Sequence, residues 1–419
     1  MRVALVAQPF DSVRPPFFGS IGMWLNEVAG RLAERCEVVV YAGENGRGAR
    51  ELRAGGVTFR LLPQVWDRWA IKILRRLPQT HPGRPYFSSK LCYAAYVRAV
   101  ARDLERQACD VVHLINFSQF VPAIKARHPR AKVVLNMRCE WLTQLDPGMI
   151  AGRLEQADLV LGCSDYVTEE IRTAFPPLAE RCRTLHNGVD VERFSPLEPA
   201  AARTGRKRIL FVGRVSPEKG VHDLLEAFAL VLRDQPGTEL VIVGPAEVRL
   251  PREYMLALTD KQRIRRLESF YTEKAESSYI ENLRGTVRSL KLEGRVTFAG
   301  PVPHAELTDH YRAADVFIFP PIWDEPFGVP PIEAMACGVP VVATRSGGIS
   351  ETVVDGETGL LVEPGDATAL AQAMQRLLAD DDLRLGMGRA GRQRALALFS
   401  FDRVVEDLAR HYVRLAPRT

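Results

Sequence analysis

Short β-branched runs alternate with helix-period stretches along this chain, and the alternation is run through twice. The first series is Arg2–Ala7, Val38–Tyr41, Val57–Leu62, Val111–Ile115, Val133–Leu135 and Leu159–Leu161, with helical patterns such as Trp24–Glu34 and Tyr93–Gln107 between them. The second is Ile209–Val212, Leu240–Val243, Val296–Phe298, Val316–Phe319, Val339–Ala343 and Leu360–Val362. Such alternation predicts parallel sheets covered by helices on both faces. The fold class expected is α/β, with two facing Rossmann-like, doubly wound domains and a cleft between them. The Pro-rich, aperiodic stretch from Phe194 to Arg208 marks the boundary. It separates an N-terminal domain over 1–195 from a C-terminal domain over 205–399. Ligands of doubly wound sheets bind beyond the carboxyl ends of the strands, so function is expected there.

One segment fits poorly. Residues 246–291 are far longer than an ordinary crossover, and helical patterning in Ile264–Glu276 and Ile280–Leu292 predicts a solvated helical insertion, with a lid as the alternative. With 419 residues, of which 46% are hydrophobic, there is enough apolar material for two cores without disulfide or metal staples. The seven cysteines are odd in number and contain no CxxC pair, so reduced thiols are expected and a zinc site is not. No run approaches the length of a membrane span, and Val3–Ala7 is too short for a signal-peptide core. A cytoplasmic chain is expected. Residues 1–195 hold 27 Lys and Arg against 20 Asp and Glu, a basic bias that suits an anionic lipid surface or acidic acceptor as well as ordinary scatter.

The most informative stretch runs from Glu325 to Ala343. Pro330 and Pro331 suit a first helical turn and Gly338 a helix end, so a helix should open at Phe327–Val329. Its N-terminal amides and dipole would attract a diphosphate. Glu325 and Glu333 flank that site and could accept hydrogen bonds from sugar hydroxyls, although Glu325 could equally be an acid favourable to the dipole. Arg214 and Lys219 follow a strand ending at Gly213. A guanidinium and an ammonium together suit an anionic leaving group. Gly19 and Gly22, in Phe18-Gly-Ser-Ile-Gly22, would let backbone approach a ligand from the other domain. Gly347-Gly348 forms a similar loop.

Together, Glu325-x7-Glu333, Gly213-Arg214…Lys219-Gly220, His186-Asn-Gly-Val-Asp190…Phe194-Ser-Pro196 and Asp355-Gly-Glu-Thr-Gly-Leu360 resemble the retaining family-4 glycosyltransferases of GT-B fold. The resemblance spans essentially the whole chain. It implies a nucleotide-diphosphate-sugar donor, no further cofactor and no metal. Arg214 and Lys219 would contact the diphosphate, Glu325 the transferred sugar, and Glu333 the ribose. The backbone of Phe327, Gly328 and Val329 would lie close by, and Gly19 would approach from the acceptor domain. It also implies that the last helix, about 400–419, returns to the first domain. Transfer would be front-face, onto a hydroxyl of a saccharide, a lipid-linked saccharide or a small molecule; no nucleic-acid partner is expected. A non-catalytic sugar-nucleotide binder and an epimerase are the alternatives.

Two departures from the family pattern stand out. Arg138 occupies the place where a histidine is expected, and arginine cannot serve as a base; it could bind an anionic acceptor or pair with Glu140. Gly244-Pro245 replaces a glycine followed by an acid, which leaves the nucleotide base open. His113 reads as a satisfied structural histidine. The basic, amphipathic segment Val65–Leu77 has the character of an interfacial helix, and some family members use lipid-linked acceptors. Peripheral membrane contact is therefore one reading, and a helix packing its apolar side inward is the favoured one.

Overall fold

In the computed structural model the described residues are 1–15, 17, 19–44, 48–77, 81, 83–197, 206–246, 265, 267, 268, 270, 271 and 278–416. The chain divides into two units, Met1–Asn187 with Phe401–Thr419, and Gly188–Ser400. The division lies ahead of the Pro-rich stretch, because Gly188–Ser195 packs with the second unit. The Val189 N–H donates to the Phe399 carbonyl at 2.8 Å, and the Phe194 ring meets Tyr311 edge-on with centroids 5.8 Å apart. Arg312 closes the segment by donating to Ser195.

The first unit carries an eight-stranded sheet of β1 (Arg2–Val6), β2 (Glu37–Glu44), β3 (Arg50–Ala54), β4 (Val57–Pro63), β5 (Val111–Ile115), β6 (Lys132–Met137), β7 (Leu159–Gly162) and β8 (Cys182–Thr184). Its order is β3-β4-β2-β1-β5-β6-β7-β8, parallel except for the β3–β4 pair. The alternation of apolar runs does not announce β3, because Arg50, Glu51 and Arg53 are exposed charges. Charges of that kind protect an unpaired sheet edge from further pairing. One face of the sheet is covered by the helix Ser20–Leu32 and by the C-terminal helix Phe401–Leu415, which buries Phe401, Val404, Val405, Leu408 and Tyr412 in the same core as Leu5, Trp24 and Val28.

The helix Val65–Leu74 corrects the favoured reading of its segment. Its apolar side faces solvent, with Trp66 and Trp69 both exposed. The inward anchor is polar instead: the buried Asp67 carboxylate accepts from the N–H groups of Ala95 and Tyr96 at 2.9 and 2.8 Å. Those amides belong to the first turn of the helix Ala94–Gln107, where an acid is favoured by both the free donors and the dipole.

The second unit is a six-stranded, wholly parallel sheet of β9 (Arg208–Val212), β10 (Glu239–Val243), β11 (Val296–Gly300), β12 (Val316–Phe319), β13 (Val341–Thr344) and β14 (Gly359–Val362), in the order β11-β10-β9-β12-β13-β14. Helices Val221–Asp234 and Ala367–Ala379 bury Leu224, Phe228, Met374 and Leu377 against it. Of the long insertion, most of the expected helix over 264–276 and the segment that carries the lid reading lie outside the described residues. The second expected helix is present as Tyr279–Ser289, started by a capping box between Ser278 and Glu281. No helix among the described residues is long and apolar enough to cross a membrane.

Candidate active site

In the second unit β9 lies between β10 and β12, so the connections leaving β9 and β12 run to opposite sides of the sheet and open a crevice outside their carboxyl ends. The loop after β9 makes a single helical turn, Pro217–Lys219, ended by Gly220 at φ 68°. Glycine is required there twice over, by the left-handed backbone and because a Cβ would collide with the Pro320 carbonyl oxygen of the loop after β12. Glu218 is fully buried. It accepts from Ser216 Oγ at 2.6 Å and from the Tyr271 hydroxyl at 3.1 Å, and it pairs with Arg214 at 3.2 Å. Arg214 is thus held by Glu218, while among the described residues its remaining donors have no other partner.

Lys219 reaches the loop after β12. Its Nζ lies 2.5 Å from Glu325 Oε2 and sits over the Trp323 and Phe319 rings at 5.0 and 5.3 Å. Trp323 Nε1 donates to the same carboxylate oxygen at 2.8 Å. The backbone at Glu325 is fixed as well, since the Gly348 N–H donates to the Glu325 carbonyl at 2.8 Å. The Gly347-Gly348 loop therefore spends that amide on holding Glu325 rather than offering it to a ligand. Each cation of the site thus rests on an internal carboxylate.

The helix Val329–Ala336 begins at Gly328, at φ 89°, and carries proline at its second and third positions. Two of the usual first-turn donors are therefore absent, and the amides of Gly328 and Val329 are what the helix end presents. The Phe327 ring turns away and packs edge-on against Phe399, with centroids 5.7 Å apart, leaving its backbone at the loop. Glu333 is buried one turn further on. It accepts from the Tyr311 hydroxyl at 2.7 Å and bonds His304 Nε2 at 2.7 Å. Burial and the adjacent Glu333 hold the Tyr311 hydroxyl well above its ordinary pKa, so it remains a donor.

The first unit has a polar chain at the corresponding place. Gln8 follows β1 and Asn116 follows β5, the two strands at its own switch point. Asn116 Nδ2 donates to Gln8 Oε1 at 3.0 Å, and Gln8 Nε2 donates to Asp11 at 2.9 Å. Asn116 Oδ1 in turn accepts the Arg138 N–H at 2.7 Å. The Arg138 guanidinium stacks on Trp24 at 3.6 Å, and its Nε and Nη2 have no hydrogen-bond partner among the described residues. Burial pushes it down to about 9, which still leaves it protonated at neutrality. It does not pair with Glu140, whose carboxylate accepts from the Tyr166 hydroxyl and Gln144. His113 is structural: its Nδ1 bonds the Tyr412 hydroxyl at 2.6 Å, and burial, with Arg138 nearby, pushes it down to about 3. Gly19 precedes the helix Ser20–Leu32 with open space around its Cα, whereas a Cβ on Gly22 would collide with the Ser12 carbonyl. Phe18 lies outside the described residues.

Arg214, Lys219, Glu325, Phe327, Gly328, Val329 and Glu333 thus gather at one sheet end of the second unit, while Gly19, Gly22 and Arg138 belong to the first. Local patterning misses Glu218, Trp323, Tyr311, His304, Gln8 and Asp11. Gln8 and Asn116 do carry a signal, being polar residues immediately after apolar strands. The partners of Glu333 carry none, because they come from distant sequence.

Comparison with known proteins bears on both units. The model described as "Glycosyl transferases group 1" matches residues 197–394, and that described as "Glycosyltransferase Family 4" matches residues 21–193. Spore coat protein SA of Bacillus subtilis (strain 168) is 25% identical over 430 residues, covering 98% of this chain and 99% of that protein. Among solved structures, sucrose-phosphate synthase from Thermosynechococcus elongatus superposes with a TM-score of 0.74 at 24% identity, over 99% of this chain and 98% of that one. HepE of Anabaena, in complex with UDP and glucose, does so with a TM-score of 0.70 at 20% identity, over 98% and 99%.

Proposed function

Since this chain belongs to the family-4, group-1 glycosyltransferases of GT-B fold, and is accordingly a hexosyltransferase-type enzyme, we propose that it moves a sugar from a nucleotide-diphosphate donor to a hydroxyl acceptor with retention and without a metal. The observation that carries the reading is the Lys219–Glu325 pair, which ties the loops after β9 and β12 together at the switch point. An arriving diphosphate competes with Glu325 for the ammonium and meets the free side of Arg214. Glu325, released from Lys219, turns its acceptor oxygens to the hydroxyls of the transferred sugar. Amides of Gly328 and Val329 face the phosphates, and Glu333 exchanges His304 for ribose hydroxyls while keeping Tyr311.

In this reading the acceptor oxygen bonds to the anomeric carbon on the face from which the diphosphate departs. The bond to the diphosphate oxygen breaks with its electron pair, and that oxygen takes the acceptor's proton. Arg214 and Lys219 stabilise the departing charge, so no protein base is required. The first unit supplies the acceptor side, with Arg138 as a cation for an anionic acceptor group. The fold neighbour holding UDP and glucose supports a sugar-nucleotide donor. A cytoplasmic location follows from where such donors are made.

A thermal-shift panel of UDP, GDP, ADP and dTDP sugars in excess chelator tests this. A donor at about a hundred times its Kd adds about 2.7 kcal/mol, so one base should give a clear upward shift. The same donor should be hydrolysed slowly with retention, and Arg214→Ala should lower turnover roughly a hundredfold. Absence of any shift, an inverted product, or near-normal Arg214→Ala turnover would overturn the proposal.

A further inference from the structure

We propose that the outward face of the helix Val65–Leu74, with the residues just beyond it, is a docking surface for a lipid bilayer carrying anionic headgroups. Trp66, Trp69, Ile73 and Leu77 are 76%, 63%, 42% and 54% exposed. They recur at helical spacing, which lines them up as one stripe. Arg68, Lys72, Arg75 and Arg76 are exposed beside the stripe. The orientation is enforced, because Asp67 on the opposite side is buried and bonded to the amides of Ala95 and Tyr96.

The charge of the region points to the same occupant. Residues 64–102 hold eight Lys and Arg and a single acid, Asp67, whose carboxylate is spent inside the fold. The exposed face from Val65 to Leu77 therefore consists of apolar and cationic groups only, with no carboxylate, hydroxyl or amide. A protein interface would use such groups to set register. A bilayer requires none: indole rings favour the headgroup level, apolar side chains enter the acyl boundary, and cations are drawn to anionic lipid without directional pairing. This docking is independent of the transfer chemistry proposed above, since neither tryptophan touches that machinery.

Co-sedimentation of the full chain with vesicles tests it. Vesicles of three parts phosphatidylcholine to one part phosphatidylglycerol should capture the chain. Vesicles of phosphatidylcholine alone should capture at least about tenfold less, and high salt should release the chain. Trp66→Ala/Trp69→Ala and Lys72→Glu/Arg76→Glu should each weaken capture about tenfold or more. Both pairs are solvent-exposed, so unfolding midpoint and donor hydrolysis in solution should match the parent, which separates this result from any failure of the enzymatic reading. Indole fluorescence should shift to the blue on anionic vesicles in the parent and much less in the tryptophan variant. Equal capture of parent and variants would overturn the proposal. So would a chain that ignores both vesicles yet self-associates, or binds an acidic protein, through Trp66 and Trp69.

Discussion

Replacing Lys219 by methionine retains the length of the side chain and deletes one charge from a pair whose two side chains are only 9% and 13% exposed. Among the described residues, Glu325 is then left with the Trp323 indole as its one side-chain donor of the two it had. Removing one partner of a buried pair costs about 3–5 kcal/mol, because the other charge is left uncompensated. The residual access of Glu325 to water places the expected loss near about 3 kcal/mol. Glu325→Gln strands the ammonium instead and keeps an oxygen for Trp323, so about 2 kcal/mol is expected. The double variant strands neither charge. Its loss should fall short of the sum by about 2 kcal/mol, which is the coupling energy of the pair. Urea unfolding followed by fluorine NMR of 5-fluorotryptophan chains reads this in the second unit, since Trp323 is the one tryptophan between Gly188 and Ser400. Losses that add to within about 0.5 kcal/mol would refute the coupling.

Two further outcomes follow from the geometry. Burial raises the Asp11 carboxyl to about 6 despite donation from Gln8. The folded chain then keeps a proton that the unfolded chain has released, so the stability this group contributes is complete below about pH 4 and is lost as pH rises through about 6. Asp11→Asn should therefore stabilise the first unit by about 2 kcal/mol at pH 7.5 and by nothing at pH 4, as measured by denaturant unfolding at the two pH values. Gly220→Ala places a Cβ in a left-handed residue and against the Pro320 carbonyl. A loss of about 3 kcal/mol is expected, together with reduced donor affinity as the loop after β12 is displaced; an unchanged unfolding midpoint would contradict it.

Much of the frame was legible because it is written locally. Val316–Phe319 is an uninterrupted apolar run, and the helix after it is bracketed by Pro330, Pro331 and Gly338, each with a conformational reason to stand where it does. What local patterning could not yield is pairing across the chain. Lys219 and Glu325 are 106 positions apart, and nothing in Pro217-Glu218-Lys219 distinguishes a buried acid from a solvated turn. Glu333 owes its partners, Tyr311 and His304, to a separate helical segment. The Val65–Leu77 segment shows the same limit in another form. Periodicity defines an apolar side but not its direction, and the direction was decided by Asp67 meeting the amides of Ala95 and Tyr96.

The C-terminal helix has a consequence for how the chain is made. Phe401, Val404, Leu408 and Tyr412 complete the hydrophobic interior of the first unit, yet they leave the ribosome after every residue of the second. The second unit is continuous in sequence and can close as soon as it is synthesised. The first, although begun earlier, must wait with Trp24 and Leu5 uncovered until Phe401–Leu415 has been made. A nonsense codon near position 400 would therefore spoil the beginning of the polypeptide rather than its end.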